Sequence, residues 1–261
     1  MATIEISHVS KIFKDPKRKA DVTALDDINL KVAKNEFLCL LGPSGCGKST
    51  LLNMLAGFEK PTSGTVTVDG QLITAPGSDR GVVFQQANLM PWLPIWENVA
   101  FHLLLRGGQK ARRRDTAQHY IDMVGLTGFE NHYPSELSGG MNQRVGIARA
   151  LLMNPQVILM DEPFGALDEQ TRMDMQNELV RIWQEHQGTI VFVTHGIDEA
   201  LTLGTHVAVM SARPGRIREI IPIDLTRPRD ITSPQFNETK RHILNLLRSE
   251  RANPSLEMLD Q

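Results

Sequence analysis

The sequence predicts an α/β protein with a mainly parallel sheet, and three observations carry that prediction. Short apolar segments typical of buried strands recur along the chain, among them EFLCLL at 36–41, VILMD at 157–161 and TIVFVTH at 189–195. Segments with helical periodicity separate them, which favours parallel strands with helical crossovers. A glycine-rich segment, GPSGCGKST at 42–50, joins the first of these strands to a helix that we expect to end at Gly57.

The remaining pattern divides into strands and a long helical stretch. Further strands are expected at 2–9, 25–32, 64–70, 80–84 and 206–210. From Ala87 to about Pro155 the pattern is mostly helical, and one face of a helix at 110–124 carries Ala117, Tyr120, Ile121 and Val124. Other helices are expected at about 141–153, 169–186 and 235–251. We therefore expect a core interrupted by a helical insertion and followed by a polar helical tail.

Composition excludes several classes of protein. Hydrophobic residues make up 41% of the 261 residues, charged residues 22%, and the formal net charge is −2. This is an ordinary globular profile without the basic field of a nucleic-acid binder. The two cysteines, Cys39 and Cys46, both lie beside the glycine-rich segment, which favours a reducing cytoplasm over a disulfide framework. We expect no signal peptide and no bilayer-spanning segment, because no apolar run approaches about 18–20 residues.

The segment at 42–50 matches the phosphate-binding pattern G-x-x-x-x-G-K-[ST] between a strand and a helix. Its members are Gly42, Pro43, Ser44, Gly45, Cys46, Gly47, Lys48, Ser49 and Thr50. Backbone N–H groups of such a loop converge on a phosphate, and the helix N-terminus adds favourable partial charge. We expect Lys48 to neutralise the β- and γ-phosphates of a nucleotide and Ser49 to bind Mg²⁺. A chance glycine-rich turn is the alternative.

Two other strands end in side chains suited to phosphate chemistry. Asp161 and Glu162 follow a buried strand, and ligands bind at the carboxyl edge of such sheets. We expect Asp161 to hold Mg²⁺, directly or through water, and Glu162 to act as the general base that activates water. His195 follows TIVFVT and is suited to contacting the γ-phosphate. An acidic turn and a structural histidine are the alternatives.

A second candidate for anion binding is LSGG at 137–140, before the helix expected at Met141–Met153. Ser138, Gly139 and Gly140 offer backbone N–H groups at a helix N-terminus, although capping alone would explain the serine. One chain does not need two phosphate sites. A head-to-tail dimer would bring this segment onto the partner's nucleotide.

With these segments in order, the chain resembles the ATP-binding subunits of ABC transporters from residue 2 to about 220. GPSGCGKST resembles the family's Walker A motif, VILMDE its Walker B motif and LSGG its signature motif, which contacts the γ-phosphate bound to the opposite subunit. The resemblance implies that Gln85 is the Q-loop residue, which senses Mg²⁺ and contacts the transmembrane partner, with the adjacent Gln86 as the other candidate.

The same resemblance implies roles for three more residues. Asp168 in GALD lies at the position of the D-loop at the dimer interface, and His195 at that of the switch histidine. Phe13 lies where the family carries an aromatic ring that stacks on adenine, ahead of a basic stretch, KDPKRKAD, at 14–21.

The resemblance also implies a fold and its domains. The fold is a P-loop (RecA-like) nucleotide-binding core with an N-terminal antiparallel β portion and an inserted α-helical subdomain. We expect the core at 1–86 and 156–224, the helical subdomain with the signature motif at 87–155, and the helical tail at 225–261.

The residues around the motifs are similar to those of nitrate, sulfonate and taurine importers. The similar stretches are LMPWLPIWENVAF at 89–101, DEPFGALDEQTR at 161–172 and SARPGRI at 211–217. This implies a subunit that hydrolyses ATP, with Mg²⁺ held by Ser49, Gln85 and Asp161, to drive uptake of a small anionic solute. The implied partners are permease subunits, a solute-binding protein and a second ATPase subunit, which is the same chain or a paralogue, with no nucleic acid. The implied location is peripheral, on the cytoplasmic face of the inner (plasma) membrane.

Two other functions fit parts of the pattern. A soluble ABC-type ATPase that acts on nucleic acid or ribosomes usually carries tandem ATPase units or a long coiled-coil insertion, and neither occurs here. A degenerate regulatory subunit is the other alternative, and the presence of both Glu162 and His195 argues against it. We further expect Arg112, Arg113 and Arg114 to form a solvated helix start. For Trp92 and Trp96, packing and docking of a transmembrane loop are both open.

Overall fold

A computed structural model describes residues 2–14, 21–107, 109–165, 167–186 and 188–251. Most of the predicted basic stretch at 14–21, Ala166 of GALD and residues 252–261 of the predicted tail lie outside these ranges. Among the described residues, no helix combines the length and apolar character needed to cross a membrane.

The described residues form ten strands and eight α-helices, numbered in chain order. The strands are β1 (Ile4–Phe13), β2 (Val22–Val32), β3 (Phe37–Leu41), β4 (Ser63–Val68), β5 (Gln71–Leu72), β6 (Arg80–Val83), β7 (Val157–Asp161), β8 (Thr189–Thr194), β9 (His206–Met210) and β10 (Ile217–Pro222). The helices are α1 (Lys48–Ala56), α2 (Ile95–Val99), α3 (Phe101–Leu105), α4 (Lys110–Met123), α5 (Gly139–Leu152), α6 (Glu169–His186), α7 (Ile197–Leu203) and α8 (Pro234–Arg251). A single 3₁₀ turn covers Pro134–Glu136.

The chain divides into two compact units. The end unit contains residues 2–75 and 191–251, and the middle unit contains residues 76–190. β8 begins in the middle unit and finishes in the end unit. The boundaries predicted at residues 86, 155 and 224 separate a core, a helical subdomain and a tail, which are not these two units. Those boundaries stay a prediction.

In the end unit, β1 lies between β2 and β4 in an antiparallel sheet of order β2-β1-β4-β5. Its apolar side chains alternate with polar ones, so that Ile4, Ile6 and Val9 are buried on one face. In the other sheet portion of this unit, β3 pairs in parallel with β9, and β10 pairs antiparallel with β9. Every residue of β3 is buried, as its unbroken apolar sequence predicts.

In the middle unit, β6 and β7 pair in parallel, with Arg80 opposite Val157 and Val83 opposite Met160. Helices α2, α4 and α5 pack around an apolar cluster. Ala117, Ile121 and Val124 lie in this cluster, and Tyr120 packs against it, which confirms the predicted apolar face of α4. The α/β fold with an antiparallel β portion is likewise confirmed.

Two predicted elements differ in detail from the structure. The signature helix begins at Gly139, two residues before the predicted Met141, because Ser138 caps it and both glycines join the first turn. Arg113 is 9% exposed, so only its neighbours Arg112 and Arg114 match the expected solvated helix start. Helix α1 ends as predicted, at Gly57 in the left-handed conformation.

Candidate functional site

The predicted site residues divide between the two units. The end unit carries Phe13, the phosphate loop at 42–50 and His195, and the middle unit carries the rest. The residues of the middle unit are Gln85, Ser138, Gly139, Gly140, Asp161, Glu162 and Asp168.

The phosphate loop turns from buried strand β3 into helix α1 through a residue that has to be glycine. Gly47 adopts φ +91°, and a Cβ there would lie 2.5 Å from Leu25 Cδ2 and 3.0 Å from the Ala24 carbonyl oxygen. A side chain would therefore clash as well as strain the backbone. The Leu51 N–H donates to the Gly47 carbonyl at 2.9 Å, which closes the first helical turn. The N–H groups within that turn have no helical acceptor and suit an anion.

Lys48 is folded onto its own loop. The residue is 5% exposed, and Nζ donates to the carbonyl oxygens of Gly42 at 2.7 Å and Pro43 at 3.0 Å. Its ammonium group thus lies beside the loop backbone, where phosphate oxygens bind in this motif. Ser49 follows it in the first turn of α1 and is exposed.

His195 lies between buried strand β8 and helix α7, with an exposed side chain. The turn around it is tied locally, because the Gly196 N–H donates to Thr194 Oγ1 at 2.9 Å and that hydroxyl donates to the Glu199 carboxylate. The histidine is therefore presented on a fixed turn.

Phe13 ends β1 and is 40% exposed. Lys11 Nζ lies 4.8 Å from the centroid of its ring, a cation–π contact on the ring. The ring therefore offers an accessible surface for stacking, as its predicted role requires, and that role stays a prediction.

In the middle unit, the acidic pair follows β7 as predicted. Asp161 is the last residue of the strand, Glu162 comes next, and both are partly buried. Glu162 has φ +43°, an uncommon conformation for a residue other than glycine. Such backbone strain concentrates at functional sites.

The loop that carries Gln85 is held by helix α5. Gln143 Nε2 donates to the Phe84 carbonyl at 2.8 Å, and Arg149 donates to the carbonyls of Ala87 at 2.7 Å and Asn88 at 3.0 Å. Gln85 and Gln86 remain exposed between these anchors. Sequence reasoning missed Gln143 and Arg149, whose only signal was a position on the helix after LSGG.

The signature segment is a capped helix start. Ser138 Oγ accepts the Met141 N–H at 3.2 Å, and Ser138 and Gly139 are exposed. The serine thus caps α5, which is the capping role that the sequence left open, while the N–H groups of Gly139 and Gly140 lie at the same helix N-terminus, where an anion is favoured.

Asp168 caps α6. Its Oδ1 accepts the Thr171 N–H at 2.9 Å, and hydrogen bonds led by that backbone donor lower the pKa of this exposed carboxyl group. Arg172 Nη2 also donates to the Leu167 carbonyl at 2.8 Å, which fixes the backbone just before the capping residue.

The two tryptophans have different environments. Trp96 is 3% exposed within the apolar cluster of the middle unit, with Lys110 Nζ and Arg114 Cζ each 5.6 Å from its ring centroid. Trp92 is 70% exposed. Packing therefore accounts for Trp96, whereas the exposed ring of Trp92 leaves its predicted docking role a prediction.

A cavity of about 380 Å³ lies elsewhere in the middle unit, lined by Tyr120, Leu151, Ile158 and Trp183 among others. None of the predicted site residues lines it. We therefore keep it apart from the candidate site.

The phosphate loop, the strand-end acids and the capped LSGG helix define a P-loop nucleotide-binding ATPase. A family model described as "ABC transporter" matches residues 25–165. The chain belongs to the ABC transporter family, in which it is an ATP-binding subunit that hydrolyses ATP.

Relatives match nearly the whole chain. An uncharacterized ABC transporter ATP-binding protein of Methanocaldococcus jannaschii is 54% identical, over 95% of this chain and 92% of its own. The nitrate import ATP-binding protein NrtD of Synechocystis is 47% identical, over 94% and 95%. The aliphatic sulfonates import ATP-binding protein SsuB of Bacillus thuringiensis is 44% identical, over 93% and 94%.

A solved structure agrees in fold. A dimeric ATP-binding cassette in a post-hydrolysis state, bound to ADP and Pi, aligns with a TM-score of 0.77 and 35% identity, covering 85% of this chain and all of that chain.

Proposed function

We propose that this chain powers an importer of a small anionic solute, such as nitrate, a sulfonate or taurine, through separate permease subunits. The observation that carries the ATPase part is the phosphate loop, with its buried Lys48 and its Gly47 in a left-handed conformation that admits no side chain. The importer part rests on the relatives named for nitrate and aliphatic sulfonate import.

On binding ATP, Lys48 exchanges the carbonyl oxygens of Gly42 and Pro43 for phosphate oxygens. This exchange is favourable because an ammonium group binds a phosphate anion more strongly than a neutral carbonyl. Phe13 stacks on the adenine ring, and the first-turn amides of α1 bind the β-phosphate.

The donor groups of Ser49, Gln85 and Asp161 suit Mg²⁺, because all three offer the hard oxygen ligands that this ion prefers. A bound Mg²⁺ would neutralise charge that develops on the phosphates during the reaction.

Hydrolysis then depends on the residues that follow β7 and β8. Glu162 accepts a proton from water as the water oxygen bonds to the γ-phosphorus, and the bond from that phosphorus to the bridging oxygen breaks to give ADP and phosphate. His195 hydrogen-bonds a γ-phosphate oxygen and holds the geometry for attack.

A second ATPase subunit, the same chain or a paralogue, completes the site in a head-to-tail dimer. Ser138, Gly139 and Gly140 of one subunit contact the γ-phosphate on the other, and Asp168 lies at the interface. The exposure of the LSGG helix start supports this arrangement, as does the relative solved as a dimer. Hydrolysis removes charge that links the subunits, and the dimer opens.

The permease contacts the surface around Gln85 and the exposed Trp92. The buried Trp96 supports this surface from within the middle unit. We place the chain at the cytoplasmic face of the plasma membrane as a peripheral subunit, with a solute-binding protein as a further partner.

Two variants test the ATPase mechanism. Lys48→Ala should weaken ATP binding at least tenfold, because it removes the cation of the loop. Lys31→Ala, which removes an exposed lysine from β2, is the control. Glu162→Gln should keep ATP affinity, trap a dimer and lower hydrolysis by about 10²-fold or more. Hydrolysis by Glu162→Gln at the wild-type rate would refute the general base.

The transport assignment needs a separate experiment. The tagged chain is purified from detergent-solubilised native membranes, and its partners are identified by mass spectrometry. Recovery of a multi-span permease together with a solute-binding protein is the expected result. A chain bound only to ribosomes or DNA would refute the importer and leave the ATPase intact.

A further inference from the structure

The turn between β9 and β10 is held in one shape by its own hydrogen bonds. The Ser211 N–H donates to the Arg216 carbonyl at 2.9 Å, and the Arg216 N–H donates back to Ser211 Oγ at 2.9 Å. The same hydroxyl donates to the Pro214 carbonyl at 3.0 Å. The residue between these contacts, Arg213, therefore projects from a defined backbone.

This turn is also fastened to strand β2. The Gly215 N–H donates to the Ala24 carbonyl at 3.0 Å, and the Asp26 N–H donates to the Gly215 carbonyl at 2.9 Å. Arg216 adds an ion pair to the Asp26 carboxylate, with Nε 2.9 Å from Oδ2. Both ends of the contact lie in the end unit, so the turn has a fixed position against β2.

The same turn abuts the phosphate loop. A Cβ on Gly215 would lie 2.0 Å from the Cys46 carbonyl oxygen, so the two backbones touch. On the other side of the turn, a Cβ on Gly45 would lie 3.6 Å from Arg213 Nη2 and 3.8 Å from Arg213 Nε. The guanidinium group of Arg213 therefore lies over the phosphate loop itself.

Arg213 has charge available for a ligand. It is exposed, and within the described residues it forms no ion pair, whereas Arg216 in the same turn is paired with Asp26. An unpaired guanidinium fixed beside a loop built for phosphate has one evident acceptor, because its fork of N–H donors matches phosphate oxygens.

We propose that Arg213 is a second nucleotide-binding cation, which contacts the phosphate chain of a nucleotide on the loop from beside Gly45. The proposal rests on the proposed ATPase function and deepens it. It adds a binding residue from a turn about 165 positions after the loop. Lys48 provides a point charge from inside the loop, and Arg213 provides a planar, hydrogen-bonding charge from outside it.

The test is a titration of the full-length chain with ATP and with ADP by isothermal calorimetry. The variants are Arg213→Ala, Arg213→Lys and the control Arg241→Ala, which removes another exposed arginine of the end unit, on α8. Arg213→Ala should weaken both nucleotides about fivefold, Arg213→Lys should recover part of the loss, and Arg241→Ala should bind like wild type. Thermal unfolding without nucleotide should be the same for all four proteins.

Three outcomes would overturn the proposal. Arg213→Ala with wild-type affinity, while Lys48→Ala loses binding, would leave the ATPase site intact and remove Arg213 from it. If Arg213→Ala binds nucleotide more weakly and also unfolds at a lower temperature without nucleotide, Arg213 would be a structural residue of the turn. A wild-type chain that binds neither nucleotide would refute the proposed function itself, an outcome distinct from the other two.

Discussion

Gly140 and Leu167 lie so close together that a side chain on the glycine has room only if the leucine moves. A Cβ on Gly140 would lie 2.7 Å from Leu167 Cδ2, and Leu167 is 5% exposed. Gly140 is in the first turn of α5, and Leu167 directly precedes Asp168, which caps α6. The contact therefore couples the segment that resembles the signature motif to the segment that resembles the D-loop, within one subunit.

We expect Gly140→Ala to disturb this contact and Gly139→Ala to leave it intact. A Cβ on Gly139 meets nothing within 4 Å among the described residues. Both alanines favour the helix, so only overpacking against Leu167 separates them. Gly140→Ala should be less stable than Gly139→Ala by about 1 kcal/mol in urea unfolding. Equal stabilities would contradict the contact.

Arg149→Met should release the loop that carries Gln85. Arg149 donates to the Ala87 and Asn88 carbonyls, and these hydrogen bonds hold the guanidinium against the loop. Burial lowers the pKa of this guanidinium. Hydrogen exchange across 84–90 should become faster, and the ATPase kcat should fall about tenfold with ATP affinity unchanged. Arg112→Met, at an exposed position on α4, is the control. Faster exchange with an unchanged kcat would refute the role proposed for Gln85.

Local chemistry made much of this fold predictable. The phosphate loop is a contiguous motif whose glycines and lysine act within a few residues of each other, and the buried strands are unbroken apolar runs. The start of α5 was predicted two residues late because glycine is a poor helix former, whereas the Ser138 cap determines the true start.

Contacts between distant segments could not be predicted in the same way. Arg213 reaches Gly45 only because the β9–β10 turn folds back onto β2. Gln143 reaches the Phe84 carbonyl across 59 positions, and no local pattern marks either partner. Burial of Arg113 was also missed, because neighbouring arginines on a helix point in different directions.

Asn98→Ala should destabilise the chain by about 2 kcal/mol. Asn98 is fully buried, accepts the Met90 N–H at 2.8 Å, and donates to the Met90 carbonyl at 3.1 Å and the Leu93 carbonyl at 2.9 Å. Alanine leaves these backbone groups without their partner. Asn131→Ala, at an exposed residue with one hydrogen bond to Arg114, should cost less than about 0.5 kcal/mol in the same urea titration. Equal effects would show that the amide is dispensable.

Arg229→Met should cost about 3 kcal/mol, because Arg229 closes the C-terminal end of α7. Its Nη1 donates to the carbonyls of Leu201 and Gly204, and Nη2 donates to the Ile223 carbonyl at 3.2 Å. Burial, aided by the nearby Arg227 cation, lowers the pKa of Arg229 to about 10, so it stays charged at neutral pH. Arg229→Lys should recover part of the stability, and Arg241→Met is the exposed control. A loss below about 1 kcal/mol would contradict this role.

Glu130→Gln should remove a stabilising contribution that depends on pH. The Glu130 carboxylate accepts the Gln118 amide at 2.9 Å and the Gly128 N–H at 2.7 Å, and these hydrogen bonds lower its pKa below the ordinary value of 4.5. A lowered pKa in the folded state means that the contribution is complete above about pH 4.5 and is lost as pH falls through the lowered pKa. Wild type should therefore exceed Glu130→Gln by about 1 kcal/mol at pH 7, and the gap should close in acid. Glu238→Gln is the control, since that exposed carboxylate forms no side-chain hydrogen bond within the described residues. A gap independent of pH would mean that shape, rather than charge, makes Glu130 stabilising.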